Sequence, residues 1–253
     1  SDFELIQHKV HGNADVRIYP ISDVHLGAAE HMTRKWEEFC QNVLKDPRGY
    51  IILGGDLINN ATRNSVSNIF EETMRPREQK KLMVSMLEPI KSRILCAVTG
   101  NHERRSKKCG WFPLRDACLL ADPSGKLEER YRQHFCLIDL GVGVRLRSSS
   151  TGKAQNRYII FAVHKAKELK NFSSADYVDG CDVFAFGHDH DPKSHPRARI
   201  RYDTTRKTIS VHTTRVVNCG SNMIYGGYAV DEGYRPNALV EYKVHLSGTE
   251  KET

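Results

Sequence analysis

The chain has 253 residues, 39% hydrophobic and 27% charged, the balance of a soluble globular protein long enough to bury a large core. No apolar run approaches the ~18 residues of a membrane helix, and no secretory signal is visible at the start; a cytoplasmic chain without a membrane partner is expected. The net charge of +7 and pI of about 9.0 suit a polyanionic partner such as nucleic acid.

Five apolar runs read as strands, at 16–22, 50–54, 93–99, 157–163 and 182–186. Most are continuous rather than alternating, as in strands buried on both faces. Helical spacing falls between the first three. Trp36, Phe39, Cys40, Val43 and Leu44 mark a helix over 33–45 with Thr33 as N-cap, and Leu82, Met83, Met86 and Leu87 mark another over 77–88. Alternating strands and helices predict parallel pairing. Beyond residue 190 the pattern changes. Segments 198–203, 208–218 and 238–246 alternate polar and apolar residues, as antiparallel strands with one wet face do. The economical architecture is a single α/β domain over 1–253, a four-layer αββα sandwich with mixed sheets. The segment 145–156, rich in Arg, Ser and Gly, reads as an exposed hairpin or loop. Seven cysteines, an odd number with no C-x-x-C pair, read as reduced thiols.

Five short blocks follow strand-like runs: Asp23-Val24-His25, Gly55-Asp56, Gly100-Asn101-His102-Glu103, His164, and Gly187-His188-Asp189-His190. In an α/β sheet, ligands gather at the carboxyl ends of strands, so topology alone brings these blocks to one cleft. Carboxylate, imidazole and amide oxygen together suit divalent transition ions. Two such ions roughly 3.5–4 Å apart can share a bridging carboxylate and a bridging hydroxide. The glycines at 55, 100 and 187 fit tight turns that bring backbone close to the metals. His195 and His212 lie outside the blocks and read as non-ligands.

In their order, D-x-H, G-D, G-N-H-E, a lone H and G-H-x-H, these blocks resemble the calcineurin-like metallophosphoesterase family. The resemblance implies a binuclear phosphoester hydrolase. It implies that Asp23, His25, Asp56 and His190 hold one metal, and that Asp56, Asn101, His164 and His188 hold the other, with Asp56 bridging. Manganese is the first expectation for the two divalent ions, with iron, zinc, nickel or magnesium as alternatives. His102 would lie beside the scissile phosphate as general acid for the leaving oxygen, while a metal-bridging hydroxide attacks; an imidazole with a pKa near neutrality suits that task. Glu103 would orient an imidazole.

The second block reads Gly55-Asp56-Leu57-Ile58-Asn59-Asn60-Ala61, without the second aspartate and arginine of phosphoprotein phosphatases. It looks more like bacterial and phage members of nuclease-like type, resembling the phosphoesterase domain of Mre11/SbcD exonucleases. A phosphodiesterase acting on nucleic acid or nucleotides is therefore expected. A phosphomonoesterase or cyclic-nucleotide phosphodiesterase would use the same metal chemistry, and a non-catalytic scaffold is the remote alternative. Candidate substrate contacts are Arg104 and Arg105 after His102, Asn60 and Arg63 after Asp56, and Lys165 after His164. Arg104, Arg105, Lys107 and Lys108 read either as backbone contacts or as a solvated charge run. Asn60 and Arg63 either meet phosphate or cap the next helix. Trp111, Tyr225 and Tyr228 either stack a base or pack. The oligomeric state is left open, a homodimer included.

Overall fold

The expected strand-helix alternation builds one sheet of the molecule, and strands near the N-terminus and in the second half build the other. The structure, a computed structural model, describes all residues except 1–2, 13, 63–64, 66–68, 144–155, 167, 170–171, 174–175, 177, 234, 250 and 252–253. The elements in chain order are β1 (Ile6–Val10), β2 (Val16–Ile21), α1 (Thr33–Lys45), β3 (Gly49–Leu53), α2 (Pro76–Leu87), β4 (Ile94–Val98), α3 (Asn101–Arg104), α4 (Pro113–Ala121) and β5 (Tyr131–Arg132). They continue with β6 (Phe135–Val142), β7 (Asn156–Lys165), β8 (Glu168–Leu169), β9 (Phe172–Ser173), β10 (Val183–Gly187), β11 (Lys193–Asp203), β12 (Thr208–Asn218), α5 (Tyr228–Asp231) and β13 (Val244–Leu246). No helix among the described residues is long and apolar enough to cross a membrane.

Two mixed sheets result. One runs β13-β2-β3-β4-β5, with β2 to β5 parallel and β13 antiparallel at its edge. The other runs β1-β6-β7-β10-β12-β11, with β7, β10 and β12 parallel and β11 antiparallel at its edge. The sheets face each other across Val16, Ile18, Ile52, Cys96 and Val98 from the first, and Ile138, Leu140, Ile160, Ala162 and Val183 from the second. Alternate residues of the first sheet, Tyr19, Ile21, Ile51, Leu53 and Ala97, pack outward against Trp36, Phe39, Val43, Met83, Leu87, Leu114 and Ala117 of α1, α2 and α4. These strands are buried on both faces, which is why they read as continuous apolar runs.

Several local expectations change. Thr33 is the first helical residue of α1 and Met32 holds the cap position without a side-chain bond; Leu44 is 44% exposed. Only Val244–Leu246 of 238–246 is a strand. β1 and β6 were not expected, although Cys136, Ile138, Leu140 and Val142 alternate into the core as a half-buried strand should. The segment 145–156 lies outside the described residues apart from Asn156. On the outer face of the six-stranded sheet, Ala166, Val178 and Cys181 pack on Phe184, Phe186 and Val216. Among the described residues between β7 and β10, β8 and β9 pair antiparallel as a separate two-stranded sheet.

An ion pair ties β2 to the end of α1. Arg17 Nε donates to Asp46 Oδ2 at 2.7 Å, the Tyr19 hydroxyl donates to the same oxygen at 2.9 Å, and the Arg48 amide donates to Oδ1 at 3.0 Å. The hydrogen bond from Arg17 holds the Asp46 carboxyl well below the usual carboxylate range. Burial and the bond to Asp46 push the Tyr19 phenol up to about 12. A depressed carboxyl pKa adds stability above the unfolded value, and that stability is lost as pH falls from about 4 through the folded value. Asp46→Asn is expected to cost about 1–2 kcal/mol at neutral pH, lowering the melting temperature by roughly 2–8 °C. Calorimetry should show the difference from wild type shrinking below about pH 4.

Candidate metal centre

All five blocks sit at carboxyl ends. Asp23 and His25 follow β2, Asp56 follows β3, Asn101 and His102 follow β4, His164 closes β7, and His188 and His190 follow β10. Because β2, β3 and β4 run parallel in one sheet and β7 and β10 in the other, the ends open on a common cleft. Three overlapping groups form: Asp23, His25 and His190; His25, Asp56 and His102; Asp56, His164 and His188, with potential ligand atoms in each within 4.8 Å of one another. Asn101 Oδ1 lies 2.9 Å from His164 Nε2, which joins it to the third group. The structure thus brings together all seven residues expected as ligands, with His102 beside them.

The backbone is strained where these groups meet. Among the described residues, seven non-glycine residues have positive φ, and six are Asp23, His25, Asp56, Asn60, His188 and His190. Left-handed backbone costs an L-residue roughly 1–2 kcal/mol, and such strain collects at functional sites held by their surroundings. Glycine is required at two close approaches. A β-carbon on Gly100 would overlap the Asp56 carboxylate, and one on Gly187 would overlap Ser22 Oγ and the Asp23 carboxylate. Gly187→Ala is therefore expected to displace Asp23 and lower metal occupancy, measurable by elemental analysis of the folded variant.

The donor atoms fit cations. Asp23 Oδ1 is buried without a hydrogen bond of regular geometry, while His190 Nε2 at 3.2 Å and His25 Nε2 at 3.6 Å converge on it. The two imidazole nitrogens lie only 3.3 Å apart. Convergent lone pairs of this kind are resolved by a positive ion between them. Supporting bonds aim the ligands. Ser22 donates its hydroxyl to Asp23 Oδ2, the His188 amide donates to the same oxygen at 2.9 Å, and His164 Nδ1 faces the Gly54 carbonyl at 2.8 Å, leaving Nε2 for the cleft.

The electrostatics keep the carboxylates charged. Burial pushes Asp56 up, but the bond to His164 and the charges of His164, His102 and His25 bring it down to about 2. Burial likewise opposes ionisation of Asp23, and the bonds to His190 and His25 outweigh it, holding the group well below the usual range. Burial lowers His164, but Asp56 and Asp23 win and raise it to about 9. A proton on that imidazole competes with a metal. Metal binding is expected to release it, so apparent affinity should rise by about tenfold per pH unit below pH 9. Titration calorimetry in buffers of different ionisation enthalpy measures that proton.

The neighbours of the cluster take other roles than expected. Glu103 is buried and touches no imidazole by hydrogen bond. Its carboxylate accepts the backbone N–H groups of Gly100 at 2.9 Å, Asp56 at 3.0 Å and Leu57 at 2.6 Å, lacing the second block to the third. Burial, with the Asp56 charge beside it, raises its pKa to about 7. His102 does not titrate near neutrality: burial, followed by the charge of His25, lowers it to about 3. Its Nδ1–H donates to the Asn59 carbonyl at 2.7 Å, leaving Nε2 as an acceptor 3.7 Å from Asp56 Oδ2. Arg105 fills that acceptor, with Nη2 at 3.0 Å from His102 Nε2 and Nη1 donating to Asn59 O at 2.9 Å.

Of the other expected substrate contacts, Arg104 turns to the Thr99 carbonyl at 2.9 Å, on the side of α3 lined by Phe112, Leu114 and Tyr131. Asn60 directs its side-chain amide to His102 O and Ser106 Oγ and so braces α3. Arg63 lies outside the described residues. Lys165 is exposed at the end of β7, and its charge reaches His188. Trp111 packs with Lys80 Nζ 5.6 Å from its ring centre. Tyr225 is exposed, and the side chain of Tyr228 lies outside the described residues. Sequence reading missed Gln79, fully buried, whose Oε1 accepts the strained Asn60 amide at 2.9 Å. Its only signal was a polar residue on the inner face of an otherwise apolar helix stripe.

The model of the calcineurin-like phosphoesterase family matches residues 16–192, which run from the start of β2 past His190 of the last block. The chain belongs to that family. Solved structures similar to this calcineurin-like phosphoesterase include YfkN from Bacillus subtilis, described as a calcineurin-like phosphoesterase. It is 14% identical with a TM-score of 0.41, over 92% of this chain and 91% of that one. The NAD nucleotidase NadN of Haemophilus influenzae is 10% identical with a TM-score of 0.41 over 94% of this chain; the match spans 48% of NadN, about half its length. No curated protein matches the sequence. The calcineurin-like phosphoesterase is a metal-dependent enzyme, and its buried His/Asp groups are consistent with a binuclear metal site.

Proposed function

We propose that the chain is a phosphodiesterase acting on nucleic acid or nucleotides. The observation that carries this reading is Arg105, a guanidinium held against His102 Nε2 at the edge of the metal groups. It offers one full positive charge where a phosphoryl oxygen of a monoanionic diester would arrive. Lys165 stands near His188, so one cation lies beside His102 and another beside His188.

Asp23, His25, Asp56 and His190 would hold one divalent ion, and Asp56, Asn101, His164 and His188 the other. When bound, such ions supply Lewis acidity and a lowered pKa for water. Imidazole with carboxylate and amide oxygen admits manganese, iron, zinc, nickel or magnesium, with manganese first. Asp56 holds its charge between the groups, and its Oδ1 accepts the His102 amide at 2.8 Å. Arg105 binds the phosphoryl oxygen and leaves Nε2 of His102. The substrate charge then raises the His102 pKa, so that Nε2 takes up a proton from solvent and delivers it to the leaving oxygen. The seven free thiols, five of them buried, support a reducing, cytoplasmic compartment.

The test is a manganese-supplemented panel of a bis-ester chromogen, a monoester chromogen, single- and double-stranded DNA, RNA and cyclic nucleotides. Turnover of diesters is expected. Activity confined to the monoester would overturn the reading, and DNA binding insensitive to salt would remove the role given to the cations.

A further inference from the structure

The interior of the sandwich ends at β10. Val183 is the last strand residue of the six-stranded sheet in the core between the sheets, and β12 and β11 contribute none. These two strands pair over eleven residues each, from Lys193 opposite Asn218 to Asp203 opposite Thr208. Cross-strand partners share a face, so Ile200 lies beside Val211 and Tyr202 beside Ile209. On that face Ser194, Pro196, Ala198, Ile200, Tyr202, Ile209, Val211, Thr213 and Arg215 are all exposed. Ile200 is 77% exposed, Ile209 73%, Tyr202 56% and Val211 54%, and the four form one continuous apolar strip.

We propose that two copies of this chain pair through the open face of the β11–β12 ribbon. The ribbon is ~36 Å long at ~3.3 Å per residue and about 10 Å wide. Two such faces bury on the order of 1,000 Å² once side-chain relief is counted, the size at which specific interfaces begin. Charge selects the occupant. The face carries no carboxylate and one cation, Arg215, on a chain of net charge +7. The opposite face carries Arg197, Arg199 and Arg201, two of them bonded to Asp176, and the tip carries Arg206 and Lys207. A polyanion or an acidic partner gains most from the basic face and the tip. A second copy, equally basic, approaches with least repulsion along the uncharged strip. Edge-on pairing is disfavoured, because Pro196 removes an N–H from β11 and its arginines repel their own kind across a two-fold axis. Face-to-face packing at ~10 Å instead buries all four large side chains of each copy.

The inference is independent of the reaction and is tested by mass. Wild type should sediment as a dimer, and Ile200→Ser/Ile209→Lys should weaken self-association by more than about a hundredfold, because each change counts twice across the axis. Both positions are exposed, so the variant should keep its turnover of the bis-ester chromogen and the melting temperature wild type shows at concentrations where it is dissociated. Amides of residues 209–213 should exchange more slowly as wild-type concentration rises, and not in the variant. Arg206→Ser/Lys207→Ser at the tip should remain dimeric. A monomeric wild type at every concentration, or a double variant that stays dimeric, overturns the proposal.

Discussion

Asp56→Asn is expected to empty both metal positions. Asp56 and His25 each belong to two of the three ligand groups, and Asp56 is the one that carries a negative charge, with Oδ2 at 3.1 Å from His164 Nε2 and 3.7 Å from His102 Nε2. Asparagine keeps the shape and can still accept the His102 amide, so the fold should survive. What is lost is the negative charge that offsets two cations in a buried site, and amide oxygen does not replace it. Metal content by elemental analysis should collapse while the circular dichroism stays native. Hydrolysis should fall by on the order of a thousandfold or more, since the ions supply several kcal/mol of transition-state stabilisation. A full metal complement in this variant would contradict the bridging role.

His102→Ala should do the opposite, keeping the metals and losing turnover by roughly 10²–10⁴, the usual worth of a positioned proton donor. The measurement discriminates, because His102 also lies within ligand reach of His25 and Asp56. A reduced metal complement would move it into the ligand set. Arg105→Met separates the partners further. Removing a charged hydrogen bond to phosphate should raise KM by about 10- to 100-fold. It also takes away a positive charge that now lowers the His102 pKa, so the alkaline limb of the rate profile, where the general acid loses its proton, should shift to higher pH.

The ligand set was legible because each member stands directly after an apolar run, and the carboxyl ends of parallel strands converge. That rule brings Asp23, His25, Asp56, Asn101, His164, His188 and His190 to one cleft, and the family resemblance of the ordered blocks implies that they are the ligands. Their neighbours were not legible, because a short helix turns successive residues about 100° apart. Arg104 and Arg105 look equivalent in the sequence, yet one bonds Thr99 O and the other His102 Nε2. Glu103 reads as a partner for an imidazole, and in the fold four backbone amides reach it first. The strain at Asp23, His25 and His190 has no signature in residue type, since glycine would normally mark positive φ and here the ligand atom is needed.

By itself the sequence determined the family, the two-sheet α/β class and which blocks gather at one cleft, because strand periodicity and block order are local properties of the chain. The tertiary structure alone decided the protonation state of His102, the placement of Arg105 and the bracing by Glu103 and Gln79. It also left one face of the β11–β12 ribbon uncovered. Those depend on which charges and surfaces meet across elements, and burial changes both pKa and exposure in ways no single segment encodes.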